Sequence, residues 1–363
     1  MHRLFNISED TTLFPWSNRT PWPGAVAMIA VGITLLVGWL TGHTSAGAIA
    51  AGSAFTVGFA VFHEALASVL LSMTAATLGI ASATLIGSLA APWSDLVLLV
   101  AFVAAVNYGL LAELGPTEGW IGQQSAVFAI VASYFANGPH YAIGRAEMVL
   151  AGGGLQILVF WIFYLVRPKQ REPGAPRTRE QIPQRLRELW QCLHDELKIR
   201  RNSVTYVARL SLVLVTSTAL YRYYHVRNGY WIPMTALLVL KPQWGHTLSR
   251  GIARMLGTVA GAGIALVLAR LLPFPAWVLP TLVVASAWGC YALQAVNYAA
   301  FSAFITLYIV FLFRFGGFSD TQAAHIRLVN TVVGGSLALA IDALWKVAAT
   351  ARARRVGTAD SVQ

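Results

Sequence analysis

Two stretches decide the fold: 144-GRAEMVLAGGGLQILVFW-161 and 326-IRLVNTVVGGSLALAIDALW-345. Each carries an arginine, Arg145 or Arg327, followed at equal spacing by a double glycine, Gly152-Gly153 or Gly334-Gly335. The offset between them is about 182 residues, far longer than the repeats of solenoid proteins, so it reads as duplication of a whole bundle. Other landmarks follow with small drift: Leu78-Gly79-Ile80 against Ala262-Gly263-Ile264, and His63 against His246.

Working outward, apolar windows of about twenty residues give about twelve candidate spans. In the first half they lie near 22–40, 46–62, 65–90, 95–112, 122–136 and 145–166. The second half has 204–221, 230–240, 251–272, 276–291, 297–313 and 323–345. An even number of helices per half inserts both copies in the same orientation. The expected fold is therefore all-α and membrane-integral, with about twelve transmembrane helices in two parallel six-helix repeats. The 230–240 span is broken by Pro233 and closed by Lys241-Pro242. Such a short segment is tolerated only where protein or a wet cavity meets its freed backbone groups.

Composition agrees. Of 363 residues 56% are hydrophobic and 11% charged, with mean hydropathy +0.60. Soluble domains carry roughly a quarter charged residues. The net charge of +11 sits in a few loops and tails beside apolar spans, a positive-inside pattern that argues against nucleic acid. With both termini cytoplasmic, about twenty of the 26 Lys and Arg fall on the inner side. The first twenty residues lack the apolar core and cleavage site of a signal peptide. Cys192 and Cys290 have no neighbour at metal-ligand spacing and read as ordinary thiols.

The expected organisation is a cytoplasmic segment 1–21, a first membrane repeat 22–167, a cytoplasmic linker 168–203, a second repeat 204–347 and a basic tail 348–363. The linker starts Pro- and charge-rich. From Ile182 onward Leu186, Leu189, Trp190, Leu193 and Leu197 recur at helical spacing, an amphipathic connector or docking helix.

The stretch 229-GYWIPMTALLVLKPQWGHTLSRGIARMLGTVAGAGIAL-266 resembles the signature of the fusaric acid resistance protein-like family of bacterial membrane transporters. The resemblance rests on Tyr230-Trp231, Pro233, Thr235, Pro242, Thr247, Arg250, Arg254, Gly257, Thr258 and Gly261. It implies efflux of small aromatic or other organic acids across the bacterial inner membrane. Plant aluminium-activated malate channels are distant relatives of that family, so an anion channel stays open. The short linker departs from the larger pumps, which carry a large cytoplasmic domain.

The residues also speak for themselves. Arg250 and Arg254, one helical turn apart, form an anion-attracting pair at a cytoplasmic entrance, because guanidinium grips carboxylate in a bidentate fashion. Lys241 and His246 add positive potential, and Tyr230, Trp231 and Trp244 offer rings for an aromatic acid. Arg327 and Asn330 begin the last span and are placed at the exit. The competing reading is structural: basic residues set topology and Trp belongs to interface belts. The first half carries Ala67 and Leu71 where the second has Arg250 and Arg254, so topology alone does not demand the arginines.

His63, Glu64 and Asp342 are candidate proton-relay groups, with an Asp342–Lys346 helical pair as the bland account of the last. Gly257, Gly261, Gly263, Gly334 and Gly335 read as helix-packing positions. No phosphate-cradling loop, metal spacing or nucleophile elbow is present, so no enzyme, cofactor or metal is expected and ATP is not the evident energy source. Expected partners are a small organic anion and the bilayer, with a second copy and a periplasmic adaptor protein as candidates. Three functions remain open: proton-driven export of aromatic carboxylates, a passive organic-anion channel, and a membrane assembly protein docking through the linker helix.

Overall fold

The computed structural model describes residues 10–62, 66–135, 138–166, 201–242, 244–271, 275, 277–317 and 320–359, and no strand occurs among them. Twelve α-helices are found in these residues. The first six are α1 (Pro21–Leu40), α2 (Thr44–Gly58), α3 (Leu66–Ala90), α4 (Ser94–Leu114), α5 (Pro116–Ala132) and α6 (Pro139–Val166). They are followed by α7 (Arg201–Tyr223), α8 (Trp231–Val239), α9 (Trp244–Leu271), α10 (Val278–Leu293), α11 (Tyr298–Phe315) and α12 (Asp320–Ala359). Nine of the described helices are long and apolar enough to cross a bilayer. The linker helix expected within 168–203 lies outside the described residues, apart from the start of α7.

Packing pairs in the first six helices have counterparts in the last six. α3 packs on α5 and α6 as α9 packs on α11 and α12; α2 packs on α1 and α6 as α8 packs on α7 and α12. Between the two sets, α4 meets α7 as α10 meets α1, and α5 meets α8 as α11 meets α2. The double-glycine stretches explain two of these approaches. A Cβ on Gly152 would run into the Ala50 carbonyl, and one on Gly334 into the Ile232 carbonyl, so hydrogen at these positions lets α6 touch α2 and α12 touch α8. Tyrosines stitch the sets together: Tyr291 donates to the Phe55 carbonyl at 2.6 Å and Tyr308 to the Ala51 carbonyl at 3.2 Å. The Phe55 ring stacks on Tyr308 at 4.1 Å.

α8 is the exception in length. Its nine residues rise about 13 Å against a hydrocarbon core of about 30 Å, so it does not cross a bilayer alone. Every residue from Trp231 to Leu237 is buried, which is how its short backbone escapes lipid. Pro233 falls in the first turn, where a missing N–H costs nothing, and Pro242 keeps the chain before it from continuing as helix.

Two boundaries differ from the sequence expectation. α9 starts at Trp244 rather than near 251, because the polar residues of its first turns are packed inside protein: Thr247 and Ser249 are buried. α12 runs on through the basic tail to Ala359.

The glycines of α9 are split by helical geometry. Cβ atoms on Gly257 and Gly261 would strike the carbonyls of Ala299 and Ala303 on α11, whereas Gly263, two residues and so about 200° further round, faces open space. Gly263 is therefore no part of the packing face, and Gly335 has only loose contact with Met255 at 3.9 Å. Gly261→Val is expected to destabilise the fold by about 1–3 kcal/mol, and Gly263→Ala to change it by less than about 0.5 kcal/mol, read as melting of the purified protein.

Candidate functional site

The residues that read as one site in the sequence fall into three places. Lys241, His246 and Arg250 lie at the end of the bundle where α8 stops and α9 starts, called here the basic end. Tyr230, Trp231, Arg327 and Asn330 lie toward the other end, with the whole of α8 between. Arg254 sits ten residues, or about 15 Å, into α9, between the two clusters.

At the basic end the turn is fixed by Thr247, whose hydroxyl accepts from the Lys241 N–H at 3.0 Å and donates to its carbonyl at 3.2 Å. Arg250 stands 4.1 Å over the Tyr298 ring, His246 is exposed, and the Trp244 side chain lies outside the described residues. The N-terminal segment crosses this end. Ser249 donates to the Asp10 carboxylate, Asn297 to the Leu13 carbonyl at 3.0 Å, and Thr20 to the Tyr291 carbonyl at 2.8 Å.

Burial, then the like charge of Arg250, pushes Lys241 down to about 8, with Asp10 pulling the other way. The ammonium is charged below that value and neutral above it. If an organic anion enters at the basic end, its uptake should fall roughly threefold to tenfold as pH rises from about 7 to 9, and Lys241→Met should flatten that limb, measured as initial uptake rate.

Arg254 does not share the solvated entrance with Arg250. It is 2% exposed on a helix packed against α11 and α12, its carbonyl accepting from Thr258 at 2.8 Å and Ser302 at 3.3 Å. Arg327 is equally buried at 2%, and Nε and both Nη atoms find no hydrogen-bond partner. Its guanidinium rests 4.2 Å above the Trp231 ring. Among the described residues neither arginine forms an ion pair, and Arg327 lies within electrostatic reach of Arg254. Charged groups inside a bilayer are costly and usually paired, so two unpaired neighbours of one sign are an arrangement that attracts an anion.

Asn330 has a positioning contact: its side-chain amide donates to the carbonyls of Arg227 at 3.2 Å and Asn228 at 3.0 Å, pinning the α7–α8 turn. Asp342 pairs across helices with Arg209 of α7, not along its own helix with Lys346 as the spacing suggested; Arg209 also donates to the Pro242 carbonyl at 2.8 Å. α7 packs directly on α12, and the buried Asp342 side chain points into that seam. His63 and Glu64 lie outside the described residues.

The sequence reading missed Arg145 as a functional group, taking it only as a repeat landmark. It is 8% exposed, 4.4 Å over Phe135 and 5.6 Å over Tyr141, so the matched arginines of both stretches are buried on aromatic rings. Phe135 leads on to Tyr230 at 5.9 Å, and Tyr230 to Trp231 at 4.9 Å.

Comparison with known proteins agrees with the resemblance carried by 229–266. A family model described as fusaric acid resistance protein-like matches residues 215–341, which take in α8 to α11, the last part of α7 and over half of α12. The chain is 28% identical over 160 residues to "Uncharacterized protein ORF2" of Neisseria gonorrhoeae, covering 43% of this chain and 37% of that protein. It is 28% identical over 164 residues to "Inner membrane protein YccS" of Escherichia coli K12, covering 45% and 23%. An uncharacterized protein of Haemophilus influenzae is 30% identical over 147 residues, covering 39% and 20%. The matches thus span less than two fifths of each of these relatives. No solved structure matches the chain significantly. With its apolar helices the chain is a multi-pass membrane protein, and its residues 215–341 are similar to the fusaric acid resistance protein-like family.

Proposed function

We propose that the protein carries small organic anions, aromatic carboxylates foremost, out across a bacterial inner membrane by a proton-coupled secondary mechanism. The observation that supports this most is the pair of buried guanidiniums, Arg254 and Arg327, without a carboxylate partner among the described residues. An anion passing from the basic end meets Lys241 and Arg250, then Arg254, then Arg327 over Trp231. Aromatic rings along that line suit an aromatic body, while each guanidinium suits the carboxylate.

In this reading the basic end is cytoplasmic, with both termini there, as the positive-inside distribution of Lys and Arg favours. The chain is two parallel six-helix repeats, supported by the matched packing pairs and by the equal offset of the Gly152–Ala50 and Gly334–Ile232 approaches. The inner membrane is supported by the name of the Escherichia coli relative.

The test is transport of labelled benzoate in proteoliposomes with and without an imposed pH gradient. Gradient-driven accumulation is the expected result. Flux that runs only down the benzoate gradient, indifferent to protons, would replace the pump by a passive channel. No flux for any acid tested would refute transport.

A further inference from the structure

At the end of the bundle away from the basic end, a cavity of about 210 Å³ lies between α2, α3, α5 and α6 of the first set and α11 of the second. Phe128, Phe135, Tyr141 and Phe313 give it aromatic walls, and Arg145 is its cation. The Arg145 side chain is more than nine-tenths buried, its Nε has no hydrogen-bond partner, and no ion pair holds it among the described residues. Glu147, two residues on, is exposed on the far side of α6 and does not compensate it. Phe135 lies under the guanidinium, and Phe313, 6.0 Å from Trp231, forms a wall between this cavity and the aromatic platform of Arg327.

We infer that this cavity is a second anion site, separate from the route through Arg254 and Arg327. It takes a monocarboxylate with one ring or a short branched hydrocarbon body. The carboxylate binds Arg145 and the body lies against Phe128, Phe135 and Phe313. A volume below the roughly 300–1,000 Å³ of drug-sized pockets suits a body of about one ring. A single cation among mostly apolar walls selects one negative charge: a dicarboxylate would leave its second charge without a partner, and a neutral amide, though its carbonyl accepts a hydrogen bond, would leave the guanidinium without a counter-charge. The inference concerns occupancy and stands whether or not the protein moves solute.

Equilibrium binding of radiolabelled benzoate to the full chain in lipid nanodiscs tests it. Arg145→Met removes the charge at similar volume; Ala48→Phe fills the cavity from α2 and leaves the guanidinium in place. Each should lose one binding equivalent or weaken it by roughly tenfold to a hundredfold, and succinate and benzamide should compete poorly. Arg327→Met should keep this equivalent. Wild type binding a single equivalent that Arg145→Met removes would support the cavity while counting against the Arg327 site. If Arg145→Met does not fold, Ala48→Phe decides alone. Binding unchanged in both variants, or none by wild type up to about 10 mM benzoate, would overturn the inference.

Discussion

Arg327→Met is expected to lower organic-anion flux by about a hundredfold or more in a protein that melts higher than wild type. The two signs follow from one fact. The guanidinium is buried with all three nitrogens unsatisfied and has only the Trp231 ring beneath it. A cation–π contact returns about 0.5–2 kcal/mol, whereas taking a charge out of water costs several kcal/mol. Arg254, a second buried cation within reach, makes the resting state worse. A methionine of similar length fills the space without the charge, so folding gains while the anion loses its partner. A residue kept for packing would behave in the opposite way, with stability falling and flux following only through lost protein.

The second large effect is at Arg209 and Asp342. Arg209→Ala should destabilise the protein by about 3–5 kcal/mol, because it leaves a buried carboxylate alone between α7 and α12. It also frees the Pro242 carbonyl at the basic turn. The double change Arg209→Met with Asp342→Leu should recover most of that loss, since it removes both charges and keeps the seam filled. Denaturant or thermal unfolding of the detergent-purified variants measures both. If Asp342 instead relayed protons as its main task, Asp342→Asn would uncouple transport with little loss of stability. The buried ion pair to Arg209 makes loss of stability the expected outcome.

Much of the fold was legible because lipid imposes a simple code. A span needs length and apolarity, and the repeated Arg and double glycine marked equivalent helices. Even the broken eighth span announced its burial through Pro233 and Lys241-Pro242, and α8 is indeed enclosed. The site was less legible, since 230–254 is contiguous in sequence but not in space. A helix of nine residues carries Trp231 away from Lys241, and the early start of α9 draws Arg254 into the interior, away from the solvated turn. Gly263 read as a packing residue by composition, yet the helical angle turns it outward. Arg145 had a signal in its equal spacing with Arg327, but its meaning depends on Phe135 and Phe313, which other helices deliver. The partner of Asp342 was likewise set by helix packing, not by sequence distance.

In the proposed route, unpaired buried arginines bind the solute on its way through. That binding is tested most directly by efflux of preloaded radiolabelled benzoate from proteoliposomes holding wild type, Arg254→Met or Arg327→Met at matched protein density. Saturable efflux by wild type, with both variants folded and slower by about a hundredfold or more, is the predicted result. Efflux at the wild-type rate through both variants would contradict it.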